Sequence, residues 1–196
     1  MFLASILLAA AQPGPCPQPV QAETAAVRHH EQTNADGTRT LTHELVVPAP
    51  PEQVYAAFAG PEGWRSWAVP HAWTVAGDAD LLETSYGPAA KVGEPGNIQQ
   101  RFVLRVPSRL IAWRTVQTPP RFPHAAQFKQ VTSLVELEPA GSGTRVRLSG
   151  IGYPPGAAGD ALLGFFREGN RTTLEQLRAR FVTDPIDWAA RAAAGR

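Results

Sequence analysis

The chain has 196 residues, of which 43% are hydrophobic and 18% charged, with a formal net charge of +1. A chain of this size fits one domain that buries ~70% of the surface its unfolded form exposes. The balance of charge, with no Lys/Arg cluster and no aromatic-basic stripe, speaks against a nucleic-acid partner, and no apolar run reaches the ~20 residues a membrane-spanning helix needs.

The first element is an uncharged apolar run, FLASILLAAA at 2–11, followed by a Pro/Gln-rich stretch at 12–21. It reads as the apolar region of a secretory signal, with cleavage expected after Ala11 or after Ala22. Residues 1–22 are thus expected to be a leader, and the mature protein to be periplasmic or secreted with no integral membrane span. Cys16, the only cysteine, falls in that leader, so the folded domain is expected to hold neither a disulfide nor a thiol nucleophile. Pro13, Gly14 and Pro15 precede it where a lipid-anchoring signal would need a leucine and a small residue.

Two strand-like runs, 25–33 and 38–47, flank the turn-forming cluster Asn34, Ala35, Asp36, Gly37 and predict a hairpin. His29 and His30 are neighbours on the first run and point to opposite faces, so they do not grip one ion together. On the second run Leu41, His43, Leu45 and Val47 share a face. Pro48, Pro50 and Pro51 then stop the strand, and Val54, Tyr55, Phe58 and Ala59 recur at helical spacing until Gly60 and Pro61. A second short helix is expected over 61–67.

Further strands are predicted over 72–76, 81–86, 97–106, 109–117 and 128–138, with another after the turn at 139–143. Ile98, Phe102, Leu104 and Val106 are expected on one face, with Arg101 and Arg105 facing solvent. Glu136, Glu138, Arg145 and Arg147 read as cross-strand charge pairs on the wet face. Asp78, Asp80 and Glu83 superficially suggest calcium, but they lack the further oxygen donors and the glycine of such a loop, so a solvated turn is the expectation there. The final helix begins at 156–160 and carries Leu162, Leu163, Phe165, Phe166, Leu174, Leu177 and Phe181, interrupted by Gly169 and Asn170. In the tail at 184–196, Ile186 and Trp188 are expected to dock and the rest to fray.

This order of elements, with APPEQVYAAF at 49–58 followed by Trp67, LEPAGSGTRVRLSGIGY at 137–153 and LEQLRARF at 174–181, resembles the SRPBCC superfamily of helix-grip proteins. The resemblance frames 38–181. It implies an α+β helix-grip fold over 23–183, in which a curved antiparallel sheet wraps a long C-terminal helix and two short helices follow the first core strand. It also implies a ligand cavity between sheet and helix, and supplies no shared chemistry.

The expected cavity residues are Phe58, Trp64, Trp67, Trp73, Tyr86, Phe102, Trp113, Phe122, Leu162, Phe165 and Phe166. Trp64 and Trp67 are placed at its entrance, where an indole can pack and donate a hydrogen bond. The loop QTPPRFPH at 117–124 is a candidate lid. His43, His71, Glu83 and His124 are the polar candidates, with Tyr86 beside them for acid/base work. HExxH, GxSxG, Walker and GxGxxG signatures are absent, and neither cofactor nor metal is expected. The resulting expectation is an exported, monomeric binder of a small hydrophobic or amphipathic molecule. The resemblance leaves open an enzyme of the cyclase, aromatase or hydrolase kind. It also leaves open a protein-interaction module resembling the ATPase-activating co-chaperone domain.

Overall fold

A computed structural model describes residues 26–194, so the leader and Cys16 lie outside the described residues. Eight strands form one antiparallel sheet: β1 Arg28–Thr33, β2 Arg39–Val47, β3 His71–Val75, β4 Asp78–Ser85, β5 Ile98–Val106, β6 Leu110–Gln117, β7 Thr132–Ala140 and β8 Gly143–Tyr153. Their spatial order is β1-β2-β8-β7-β6-β5-β4-β3. The short helices α1 (Pro51–Ala59) and α2 (Pro61–Arg65) carry the chain from β2 to the far edge at β3. Helix α4, Ala157–Val182, packs across β2 and β8, and at 26 residues it is about 39 Å long. This is the helix-grip architecture that the sequence implies.

Local chemistry accounts for most of these elements. The β1–β2 turn closes with the Gly37 N–H donating to the Asn34 carbonyl at 3.0 Å. Pro51 takes the first position of α1, where its missing N–H costs nothing. Val54, Ala57 and Phe58 then face the core. On the outer face, Arg147 and Arg145 reach Glu136 and Glu138 across β7–β8, and Glu44 on β2 joins both arginines. Asp78 and Asp80 pair with Arg101 and Arg105 at 2.8 and 2.9 Å, which makes their turn an ion-paired one.

Four sequence expectations change. Residues 128–131 do not begin β7; Ala125–Phe128 coils into a short helix, α3, and the strand starts at Thr132. Parity along β5 breaks because bulges at Gln99/Gln100 and Phe102/Leu104 each insert a residue, so Gln100 turns inward and Leu104 lies 49% exposed. Gly169 and Asn170 do not interrupt the last helix, which runs through them unbroken. The tail does not fray after Trp188 but continues as helix α5, Trp188–Ala194. That helix is tethered by the Trp188 indole N–H donating to the Arg65 carbonyl at 2.6 Å and the Ile186 N–H donating to the Ser66 carbonyl at 2.9 Å.

The core has two parts. One gathers Leu45, Val47, Phe58, Trp64, Trp67, Phe102, Trp113, Val135 and Leu174 beneath α1 and α2. The other gathers Leu41, Val131, Tyr153, Leu162 and Leu163, with Phe122, Phe128 and Phe166 against them.

Candidate functional site

Where the two parts of the core meet, they fail to fill the space, and a cavity of about 230 Å³ remains between sheet and α4. Its inner wall is Phe58, Trp64, Trp67 and Trp113. These rings interlock, with Phe58 edge-on to Trp67 at 5.1 Å and Trp64 edge-on to Trp113 at 5.6 Å. The opposite wall is Phe122 and Phe128 from the β6–β7 connection and Phe165 and Phe166 from α4. Phe128 lies 4.6 Å from Phe166, and Phe122 is edge-on to Phe165 at 5.8 Å. The connection at 117–131 therefore closes one side of the cavity as a lid.

The two entrance tryptophans have their polar tips engaged elsewhere. The Trp67 indole N–H donates to the Ala57 carbonyl at 2.9 Å and that of Trp64 to the Phe58 carbonyl at 2.8 Å. Both acceptors belong to the last turn of α1, whose carbonyls have no partner within the helix. Trp64 and Trp67 are 7% and 1% exposed, and they offer the cavity ring faces without a donor.

The polar character of the cavity comes from four side chains the sequence reading did not single out. Gln100, Ser133, Tyr153 and Asn170 line the wall, and among the described residues none of the four has a side-chain hydrogen bond. The Gln100 carbonyl oxygen is buried without a partner. Tyr153 reaches the cavity because Gly152, at φ +94°, lets β8 bulge and turn the ring inward. The ring then lies over Gly150, where a Cβ would stand 2.6 Å from the phenol oxygen. Burial pushes the Tyr153 phenol far above its ordinary pKa, so at physiological pH it is a neutral donor. Asn170 and Thr173 stand four and seven residues after Phe166, on one stripe of α4. That spacing was the signal available in the sequence. Thr173 donates its hydroxyl to the Gly169 carbonyl at 2.8 Å and is thereby committed to its own helix. No charged residue is among the described residues that line the cavity.

Of the residues expected there, Phe58, Trp64, Trp67, Tyr86, Trp113, Phe122, Phe165 and Phe166 do line it. Tyr86 is 68% exposed at the rim. Phe102 is packed behind Trp113 at 6.4 Å, with the Arg105 guanidinium 4.0 Å over its ring. Leu162 belongs to the second core cluster. Trp73 and His71 lie on the outward face of edge strand β3, stacked at 5.7 Å, because their partners Glu83 and Ser85 face outward as well.

The remaining polar candidates also lie outside the cavity. Glu83 is buried on that outer face under the loop at 86–97, where the Gly93 N–H and the side-chain amides of Asn97 and Gln99 donate to its carboxylate. His124 sits in the left-handed conformation at the start of α3. His43 is fully buried between β2 and α4, its Nε2 2.9 Å from the Arg167 carbonyl, and burial holds its pKa below the ordinary value. Its ring contacts His29 at 5.5 Å, while among the described residues no group of three His, Cys, Asp or Glu side chains is placed to hold a metal.

Comparison with known proteins agrees with this geometry. The fold resembles that of the Aha1 dimer from Colwellia psychrerythraea, at 15% identity and TM-score 0.56, with 74% of this chain and 97% of that one covered. It resembles CalU16 from Micromonospora echinospora, at 14% identity and TM-score 0.56, over 87% of this chain and 92% of that one. XoxI from Bacillus cereus gives 17% identity and TM-score 0.58, over 74% and 96%. At such identities the likeness shows the fold alone. No curated protein matches the sequence. The family model described as "Polyketide cyclase / dehydrase and lipid transport" matches residues 38–182, from β2 to the end of α4, and the chain belongs to that family.

Proposed function

We propose that this protein is an exported carrier of a small hydrophobic molecule, held with its uncharged, flat apolar body inside the cavity between sheet and α4. The observation that carries this reading is the composition of the cavity wall: two facing sets of aromatic rings, no charge, and four neutral polar side chains with no protein partner. Aromatic faces supply apolar burial at ~25 cal/mol per Å². The amide of Gln100, the hydroxyls of Ser133 and Tyr153 and the amide of Asn170 would fix orientation, since a buried polar group left unpaired is costly. At about 230 Å³ the cavity is smaller than the ~300–1,000 Å³ of drug-sized sites, which favours a few fused rings over a long-chain lipid. Binding is favoured over turnover because His43, His71, Glu83 and His124 all lie outside the cavity. Export rests on the apolar run at 2–11.

Native mass spectrometry of the protein from the exported fraction of its host tests both parts. The expected spectrum shows a chain beginning at Gln12 or Glu23 and carrying one stoichiometric apolar adduct, which Phe165→Asp abolishes. A clean apo mass, together with no thermal shift against polycyclic aromatics and lipids, overturns the carrier. An uncleaved chain confined to the cytoplasm overturns export.

A further inference from the structure

Outside the cavity, α5 and the start of β3 enclose a second hollow of about 430 Å³, lined by Pro70, His71, Pro88, Trp188 and Arg191 together with Tyr86. Tyr86 is also part of the cavity wall and is the one residue common to both. The two spaces differ in chemistry. The inner one has no charged lining, whereas the outer one presents an arginine and a histidine and no acid among its described lining residues. Neither cation is committed. Arg191 makes no ion pair among the described residues and only lies 5.5 Å over the Trp188 ring, and His71 makes no side-chain hydrogen bond and stacks on Trp73. The nearest carboxylate on α5, Asp187, is occupied by the Ala190 N–H at 2.9 Å. Helix α5 also lies beyond residue 182, where the family match ends, so this hollow is an addition to the shared fold.

We infer that the α5 hollow is a second subsite of the same ligand path, taking an anionic end, such as a carboxylate, of an amphipathic molecule whose apolar body lies inside. This inference rests on the carrier reading above. The chain of the ligand passes Tyr86, its apolar segment lies against Pro70, Pro88 and Trp188, and Arg191 receives the carboxylate by charge-assisted hydrogen bonds. Tyr86 sets which molecules can occupy both spaces at once.

The test uses 11-(dansylamino)undecanoate and its methyl ester, which share a fluorescent aromatic body and chain and differ in charge, titrated by dansyl emission into the full-length mature protein. The acid is expected to bind about five- to tenfold tighter than the ester. Arg191→Gln should bring acid and ester level by weakening the acid alone, and Arg191→Glu should make the ester the tighter of the two. Equal binding of acid and ester to the wild-type protein, or a preference for the acid that survives Arg191→Glu, overturns the subsite and leaves the carrier standing. Failure of both probes to bind overturns the two together.

Discussion

Tyr153 and the glycine beneath it show how single residues shape the cavity. With only hydrogen at Gly150, the phenol lies against the strand, and an added methyl would stand 2.6 Å from its oxygen and 2.8 Å from the ring edge. Gly150→Ala should therefore displace the ring and destabilise the fold by about 1–3 kcal/mol, seen as a lower urea midpoint. Tyr153→Phe keeps the packing and should change ligand affinity more than the midpoint. His43 makes a prediction about pH. The Arg167 carbonyl can only accept, so Nε2 carries the proton, and Nδ1 is buried without a partner. Protonation would place a second N–H where nothing receives it. Burial, the largest influence, lowers the pKa in the folded state from about 6.5, with the Arg167 bond opposing. The unfolded chain then binds more protons below that value, so the His43 contribution is intact above pH ~6.5 and lost as pH falls from there. Urea midpoints between pH 8 and pH 5 should decline for the wild type and decline less for His43→Gln.

Among the elements, α1 and α2 are joined by an unusual device, in which side chains of the second satisfy the backbone of the first. Trp67→Phe keeps most of the apolar ring and removes the donor to the Ala57 carbonyl. The cost of leaving that buried acceptor bare is about 1–3 kcal/mol, and differential scanning calorimetry should report it as a lower Tm, whether or not a ligand is bound. Much of this level was readable in advance. The hydrophobic alternation of β2, β7 and β8 and the helical spacing after Pro51 are local signals, and they survive because each element buries one face. The rest depended on departures from period. Bulges in β5 and β8 turn Gln100 and Tyr153 inward, and nothing in a two-residue alternation announces where an extra residue will be absorbed. Glu83 was misplaced for a related reason, since the face it occupies is buried by a loop whose fold the sequence does not reveal. Asn170 read as a helix interruption, whereas tertiary packing outweighs the few tenths of a kcal/mol by which asparagine disfavours a helix interior.

At the scale of the molecule, stability is unevenly distributed. β2, β7 and β8 are hydrogen-bonded on both sides and covered by α4. Helix α5, by contrast, has no buried residue and is held through Trp188 and Ile186. Hydrogen exchange should find the α5 amides opening independently, while the central strands exchange only through global unfolding. Deleting residues 184–196 should leave the urea midpoint of the core nearly unchanged. Uniform protection across both regions would contradict this division. The aromatic inner wall has an optical consequence as well. Trp64 lies 5.9 Å from Trp67 and 5.6 Å from Trp113, close enough for their indole transitions to couple as excitons, and the Trp64 and Trp67 rings are pinned to the α1 backbone. The protein thus carries a circular-dichroism reporter at its binding cavity: a guest entering between the rings would rewrite a near-ultraviolet spectrum that depends on their mutual angles, with no label attached.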